Sequence, residues 1–178
     1  MKRMNFRFNP VIVLFCALTF FISSPLARAQ FFFFRENPLV GQKAPDFTLK
    51  TFNGEKVNMT KFRDNKSAIL FFWATWCPHC REALRDLNKN RADIESKGIK
   101  VILVDMEEGE GEVRRYMERN KIDMTVFLDE ESSLADPYGI IGVPTFVFVD
   151  SQGMVTAVEH SLPRNYEEIL KLKDTVKK

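Results

Sequence analysis

The chain is poor in the residues that build crosslinked or metal-held domains: three cysteines, two histidines and two tryptophans in 178 residues. One cysteine, Cys16, lies in an apolar run near the N-terminus, which leaves Cys77 and Cys80 for the body. A structural disulfide framework uses more cysteines at longer separations, and a single C-x-x-C closes too small a loop to stabilise much. A closed zinc site needs four ligands. Cys77, His79 and Cys80 have only His160 to complete such a set, so neither a metal nor a cofactor is expected. Net charge is also lacking, at +2 overall. Four of the 26 basic residues (Lys2, Arg3, Arg7 and Arg28) precede Gln30, leaving 22 against 24 acidic ones. A near-neutral body gives no electrostatic case for nucleic acid. There is no internal repeat and no linker from Leu39 onward, and the length suits one domain.

What is present begins with an export signal. Basic Lys2, Arg3 and Arg7 precede an apolar run from Val11 to Ile22, then Ser23-Ser24-Pro25 and Ala27-Arg28-Ala29. Small residues at Ala27 and Ala29 fit signal-peptidase cleavage before Gln30. The other reading is an uncleaved anchor, because no charge falls between Arg7 and Arg28, nearly a bilayer's span. Ser23, Ser24 and Pro25 favour cleavage, and bulky Leu14 and Phe15 before Cys16 argue against lipid attachment there. Residues 1–29 are therefore expected as signal peptide or anchor, 30–38 as a tether, and 39–178 as the folded domain. Phe31 to Phe34 in the tether pack on the domain, lie at the membrane interface or extend an anchor. Either N-terminal reading delivers the body across the membrane, to a periplasmic or other extracytoplasmic space.

Phe47, Leu49 and Thr51 alternate, Asn53-Gly54 supplies a turn, and Val57 and Met59 resume the alternation, as in a hairpin. Ala68 to Trp73 is a continuous apolar run, the signature of a central strand buried on both faces. Pro78 then stands where a helix would begin, with Leu84, Leu87 and Ile94 at helical spacing. The alternation continues with a strand over Val101 to Val104 ending at Asp105, and a helix marked by Val113, Tyr116 and Met117. Next come a strand over Thr125 to Leu128 and a short helix over Ser132 to Tyr138 closed by Gly139. Thr145 to Val149 and Val155 to Val158 form a second hairpin around Asp150 to Gly153, and a last helix covers Tyr166 to Val176. This order predicts an α/β sandwich with a mixed sheet and helices on both faces.

The chemistry concentrates at Cys77 and Cys80. Disulfide exchange needs a thiolate, and the order strand, turn, Cys77, helix puts Cys77 at a helix N-terminus, where free N–H groups and the dipole favour negative charge. His79 can add a positive charge or a hydrogen bond. Cys80, one turn into the helix, is more sheltered and can resolve a mixed disulfide formed at Cys77. Cys77 is thus expected as nucleophile and Cys80 as resolving thiol.

The run Trp73-Ala74-Thr75-Trp76-Cys77-Pro78-His79-Cys80 closely resembles the active-site run of the thioredoxin superfamily, and Gly142-Val143-Pro144-Thr145 its cis-proline loop. From Leu39 onward the chain is most similar to the TlpA/ResA-like members of the redoxin branch, with Gly41 to Leu49 resembling their N-terminal hairpin entry. The segment from Asp105 to Leu128 resembles their central αβ insertion. The resemblance implies a thioredoxin-like fold with Trp76, Val143 and Pro144 contacting substrate, Val143 through its backbone. It also implies a buried glutamate near the dithiol, which counting places at Glu108. A carboxylate there would shuttle protons to or from a cysteine. Alternatively, Glu107, Glu108, Glu110 and Glu112 form a solvated acidic turn.

The implied activity is exchange with protein thiols or disulfides. The reductive form keeps apocytochrome c or copper-site cysteines reduced and is recharged by a membrane dithiol donor. Pro78-His79 departs from this pattern toward DsbA, whose histidine makes the disulfide oxidising, so an oxidative folding catalyst is the alternative. A peroxiredoxin-like peroxidase shares Ala44-Pro45-Asp46-Phe47 but wants an upstream proline and threonine frame, and Leu70 to Ala74 holds no proline. A copper chaperone of this fold spaces its cysteines C-x-x-x-C.

Overall fold

The computed structural model describes residues 37–170. The export signal, Phe31 to Phe34 and the last helix beyond Leu170 lie outside the described residues. The sheet is built around β3 (Ser67–Trp73), all seven residues of which are buried. Apolar side chains on both faces need cover on both sides, which only a central strand receives. β3 pairs in parallel with β4 (Ile99–Met106), from Ser67 opposite Ile99 to Trp73 opposite Asp105. On its other edge it pairs antiparallel with β6 (Thr145–Val149), Ile69 opposite Phe148.

β5 (Val126–Asp129) lies parallel beside β4, and β7 (Val155–Glu159) closes the edge beyond β6. The N-terminal hairpin, β1 (Thr48–Thr51) and β2 (Lys56–Asn58), docks antiparallel on β5. The seven strands run in the order β2-β1-β5-β4-β3-β6-β7. This is the mixed sheet expected, with the hairpin at one edge.

Strand alternation divides the core in two. One face carries Ile69, Phe71, Trp73, Val101, Leu103, Phe146 and Phe148. It is covered by α2 (Pro78–Ser96) through Cys80, Leu84, Leu87 and Ile94, and by α3 (Glu110–Arg119) through Val113 and Met117. Tyr166, opening α5 (Tyr166–Ile169), and Leu170 join them. The opposite face, with Leu70, Phe72, Ile102, Val104 and Val147, is covered by Phe47, Met59, Leu134 and Tyr138. Full burial of side chains of this size contributes about 1.5–3 kcal/mol each, before the entropy of ordering them.

Three local expectations need adjustment. Met59 does not extend the hairpin strand: it opens α1 (Met59–Arg63), because Asn58 caps that turn by accepting from the Lys61 N–H at 3.0 Å. The short helix expected from Ser132 narrows to α4 (Ala135–Tyr138), preceded by a turn in which Asp129 accepts from the Ser133 and Leu134 N–H groups. Gly139 does close it, at φ 60°, the left-handed conformation that favours glycine. Asn37, from the segment expected as tether, donates to the Tyr138 carbonyl at 3.0 Å.

Candidate active site

β3 ends at Trp73, and the chain turns through Ala74-Thr75-Trp76 before α2 begins at Pro78. Proline suits this first helical position because its missing N–H would have had no partner there. Cys77 is therefore the N-cap, and its Sγ accepts from the Cys80 N–H at 3.2 Å. A sulfur held by a helix N-terminal N–H group is where a thiolate gains most from the dipole. The cysteines are joined in a disulfide, with Cα atoms 5.2 Å apart. Cys80 is fully buried and Cys77 is 5 % exposed. Of the two, Cys77 is thus the more accessible.

Val143-Pro144 is a cis peptide bond, and the Val143 carbonyl oxygen lies 3.7 Å from the Cys77 Sγ. Trp76, 63 % exposed, and Ile141, 93 % exposed, line a groove of about 240 Å³ together with Val143. His160, weighed from the sequence only as a possible metal ligand, has its Nδ1 3.1 Å from the Pro144 carbonyl oxygen and so braces this loop. His79 points outward from the dithiol turn. Its side chain is 84 % exposed, with Nδ1 3.7 Å from Glu82, and no hydrogen bond among the described residues joins it to either sulfur. Among the described residues no group of three His, Cys, Asp or Glu is arranged to hold a metal ion.

The acidic turn is resolved residue by residue. Glu107 adopts φ 68° and accepts from Ser132 Oγ at 2.7 Å, while Glu110 and Glu112 are exposed. Glu108 is buried. Its carboxylate accepts from the Thr75 backbone N–H and, at 2.5 Å, from Thr75 Oγ1. The Thr75 carbonyl in turn accepts from Arg81 of α2 at 3.1 Å. Glu108 thus clamps the turn that carries Cys77. Sequence reasoning reached Glu108 and missed its partner Thr75, which only the fold brings to it. It also read Asp105 as a strand end. Asp105 is fully buried, and burial, followed by the neighbouring Glu108 charge, pushes its pKa up to about 9. The signal was there: a lone acid closing the apolar run Val101 to Val104.

Residues 40–158 match the AhpC/TSA family. The chain belongs to that family. Its relatives include proteins named as thiol–disulfide oxidoreductases. The thiol-disulfide oxidoreductase ResA of Bacillus subtilis is 25 % identical, over 98 % of this chain and 97 % of its own. The thioredoxin-like protein YneN of the same organism is 34 % identical over 65 % of this chain and 68 % of its own. Among solved structures, the thiol:disulfide interchange protein of Chlorobium tepidum TLS, a thioredoxin family protein, superposes with a TM-score of 0.63 at 25 % identity. That superposition covers 78 % of this chain and 96 % of the other. The chain is a thioredoxin-fold oxidoreductase of the redoxin family, and the expected resemblance to its ResA-like members holds. The relatives are ResA-like and DsbE-like rather than DsbA-like.

Proposed function

We propose that this redoxin is an exported reductant of protein disulfides, serving cytochrome c maturation or a related task of thiol maintenance. The observation that carries the reading is Cys77, capping α2 with its sulfur beside the Val143 carbonyl, in a chain related to ResA over almost its whole length. In the reduced protein the Cys77 thiolate attacks a substrate disulfide, and one substrate sulfur leaves as thiol. Cys80 then attacks the mixed disulfide at Cys77. The second substrate thiol departs and the Cys77–Cys80 disulfide forms. Two electrons and two protons from a membrane dithiol donor restore the pair.

Trp76 and Ile141 offer apolar surface beside the reacting sulfur, while Val143 supplies a backbone edge for an extended substrate segment. Pro144 keeps that edge turned toward Cys77. The N-terminal segment supplies export by cleavage or retention as a tether. Among the described residues no helix is long and apolar enough to cross a membrane.

His79 in the Pro78-His79 pair is the argument for an oxidant. With the cysteines joined, that imidazole lies 3.7 Å from Glu82 and is largely exposed, and the relationship to ResA supports the reductant. The deciding measurement is the reduction potential of the Cys77–Cys80 couple by glutathione or dithiothreitol titration. A value near thioredoxin's, about −270 mV, is expected, and one near DsbA's, about −120 mV, would make the protein an oxidant. Cys77→Ser abolishes insulin reduction in the same assay series, and retained activity would remove the dithiol from the mechanism.

A further inference from the structure

Asp105 is the buried acid that the exchange chemistry leaves without a role. Strand alternation puts it on the face of Val101 and Leu103, beneath α2 and α3, and opposite Trp73 in the β3–β4 register. Neither carboxyl oxygen accepts from a protein N–H or hydroxyl donor, and the side chain within hydrogen-bonding reach is that of Glu108. The Glu108 backbone N–H lies near it without forming an aligned bond. Its charged neighbours are themselves carboxylates, Glu108 from the β4–α3 loop and Glu112 from α3. α2 presents Cys77 and Cys80 to the same core, with Arg81 engaged on the Thr75 carbonyl. The register partners Trp73 of β3 and Leu128 of β5 carry no charge.

Two ionised carboxylates accept only, so they cannot bond to each other; one proton between them makes the bond possible. Glu108 is the member that needs its charge, because both of its oxygens accept from Thr75. The proton therefore belongs on Asp105. We infer that Asp105 is a positioning residue for the dithiol: it retains a proton at neutral pH, donates it to Glu108, and so holds Glu108 on the Thr75 turn that carries Cys77. Deprotonation at alkaline pH would set two carboxylates against each other, release the clamp and add negative charge beside the cysteines. Burial and the Glu108 charge both push the Asp105 titration upward, in line with this geometry.

The inference rests on thiol–disulfide exchange as the activity, and the tests separate the two. The full-length reduced protein is alkylated with iodoacetamide across pH, following Cys77. The native profile is expected to show the thiolate ionisation and, at alkaline pH, a second inflection. Asp105→Leu, which leaves Glu108 without its donor, slows alkylation at neutral pH by roughly tenfold, the equivalent of one hydrogen bond. Asp105→Asn keeps an N–H donor, recovers that rate and lacks the alkaline inflection. An Asn profile that superimposes on the native one overturns the proposal.

Should the variants fail to fold, carbon-13 NMR of aspartate-labelled native protein reads the Asp105 carboxyl directly. A protonated shift at neutral pH is expected, and an ionised one overturns the assignment. A native protein that exchanges no disulfides while Asp105 stays protonated would sink the functional reading and leave the carboxyl pairing standing.

Discussion

At the scale of single residues, reactivity here is a matter of which groups lack a partner and which have too many. Cys77 gains a backbone N–H donor and a carbonyl neighbour because it sits between a strand end and a proline-started helix. Cys80, three residues on, gains burial and nothing else polar. Glu108 differs from Glu107, Glu110 and Glu112 only in where the backbone sends it: the left-handed Glu107 reverses the chain so that the next side chain enters the core. Glu108→Gln keeps the volume but has one acceptor oxygen for two Thr75 donors. One of those two charge-assisted bonds is lost, and mixed-disulfide formation at Cys77 is expected to slow roughly tenfold in stopped-flow assays. An unchanged rate would mean that the clamp on Thr75 does not reach the sulfur. That four neighbouring glutamates divide into one buried and three exposed was not readable from their spacing, since they share one polar stretch.

At the scale of elements, the site depends on joints more than on the strands and helices themselves. α2 has the apolar stripe its sequence announces, Leu84, Leu87 and Ile94, and these are fully buried. Its N-terminus was equally legible, because Pro78 and the preceding apolar run mark the junction. α1 was not legible, since Val57 and Met59 continue a strand-like alternation and the capping by Asn58 is worth only about 1 kcal/mol as a propensity. Yet α1 supplies a joint of the fold. Arg63 at its end is buried, and its Nη1 donates to the carbonyls of Lys66, Asp150 and Ser151, at 2.6, 2.9 and 3.2 Å. It ties the start of β3 to the β6–β7 turn, at the end of these strands opposite the dithiol and the cis-proline loop. Arg63→Ala takes the guanidinium donor from the Lys66 and Ser151 carbonyls, while Asp150 keeps the Gly153 N–H, and is expected to cost about 3 kcal/mol in urea unfolding. A loss below roughly 0.5 kcal/mol, the usual surface range, would show that water replaces the guanidinium at no cost.

At the scale of the whole molecule, two aspartates pull the pH dependence of stability in opposite directions. Burial acts against the Asp46 charge, but hydrogen bonds from Asn58 and from the side chain and N–H of Thr60 outweigh it and hold its pKa below the usual range. Its contribution is present above the unfolded pKa and lost as pH falls through the folded one. Asp105 is the reverse. With a folded pKa of about 9 against an ordinary 3.8, the folded chain binds the extra proton between those values, so stability falls as pH rises through that window. Asp105→Asn should match the native protein in denaturant titrations at acid pH. It should exceed the native by an amount growing to the order of a few kcal/mol toward the alkaline end of the window. Parallel stability curves for the two proteins would show that Asp105 titrates alike folded and unfolded.

The proline loop was reached through family resemblance, whereas the place of the dithiol at a strand-to-helix junction was determined by sequence alone. That place is a local pattern, a C-x-x-C after an apolar run with a proline opening the helix. The mixed sheet was readable for the same reason, as alternation and unbroken apolar runs report burial on one face or two. What only the tertiary structure decided are the pairings across distance: Glu108 with Thr75, and Arg63 on the β6–β7 turn. Such contacts depend on strand register and on the hand of a single turn residue. Side chains dozens of positions apart carry no mark of each other until the sheet brings them into one core.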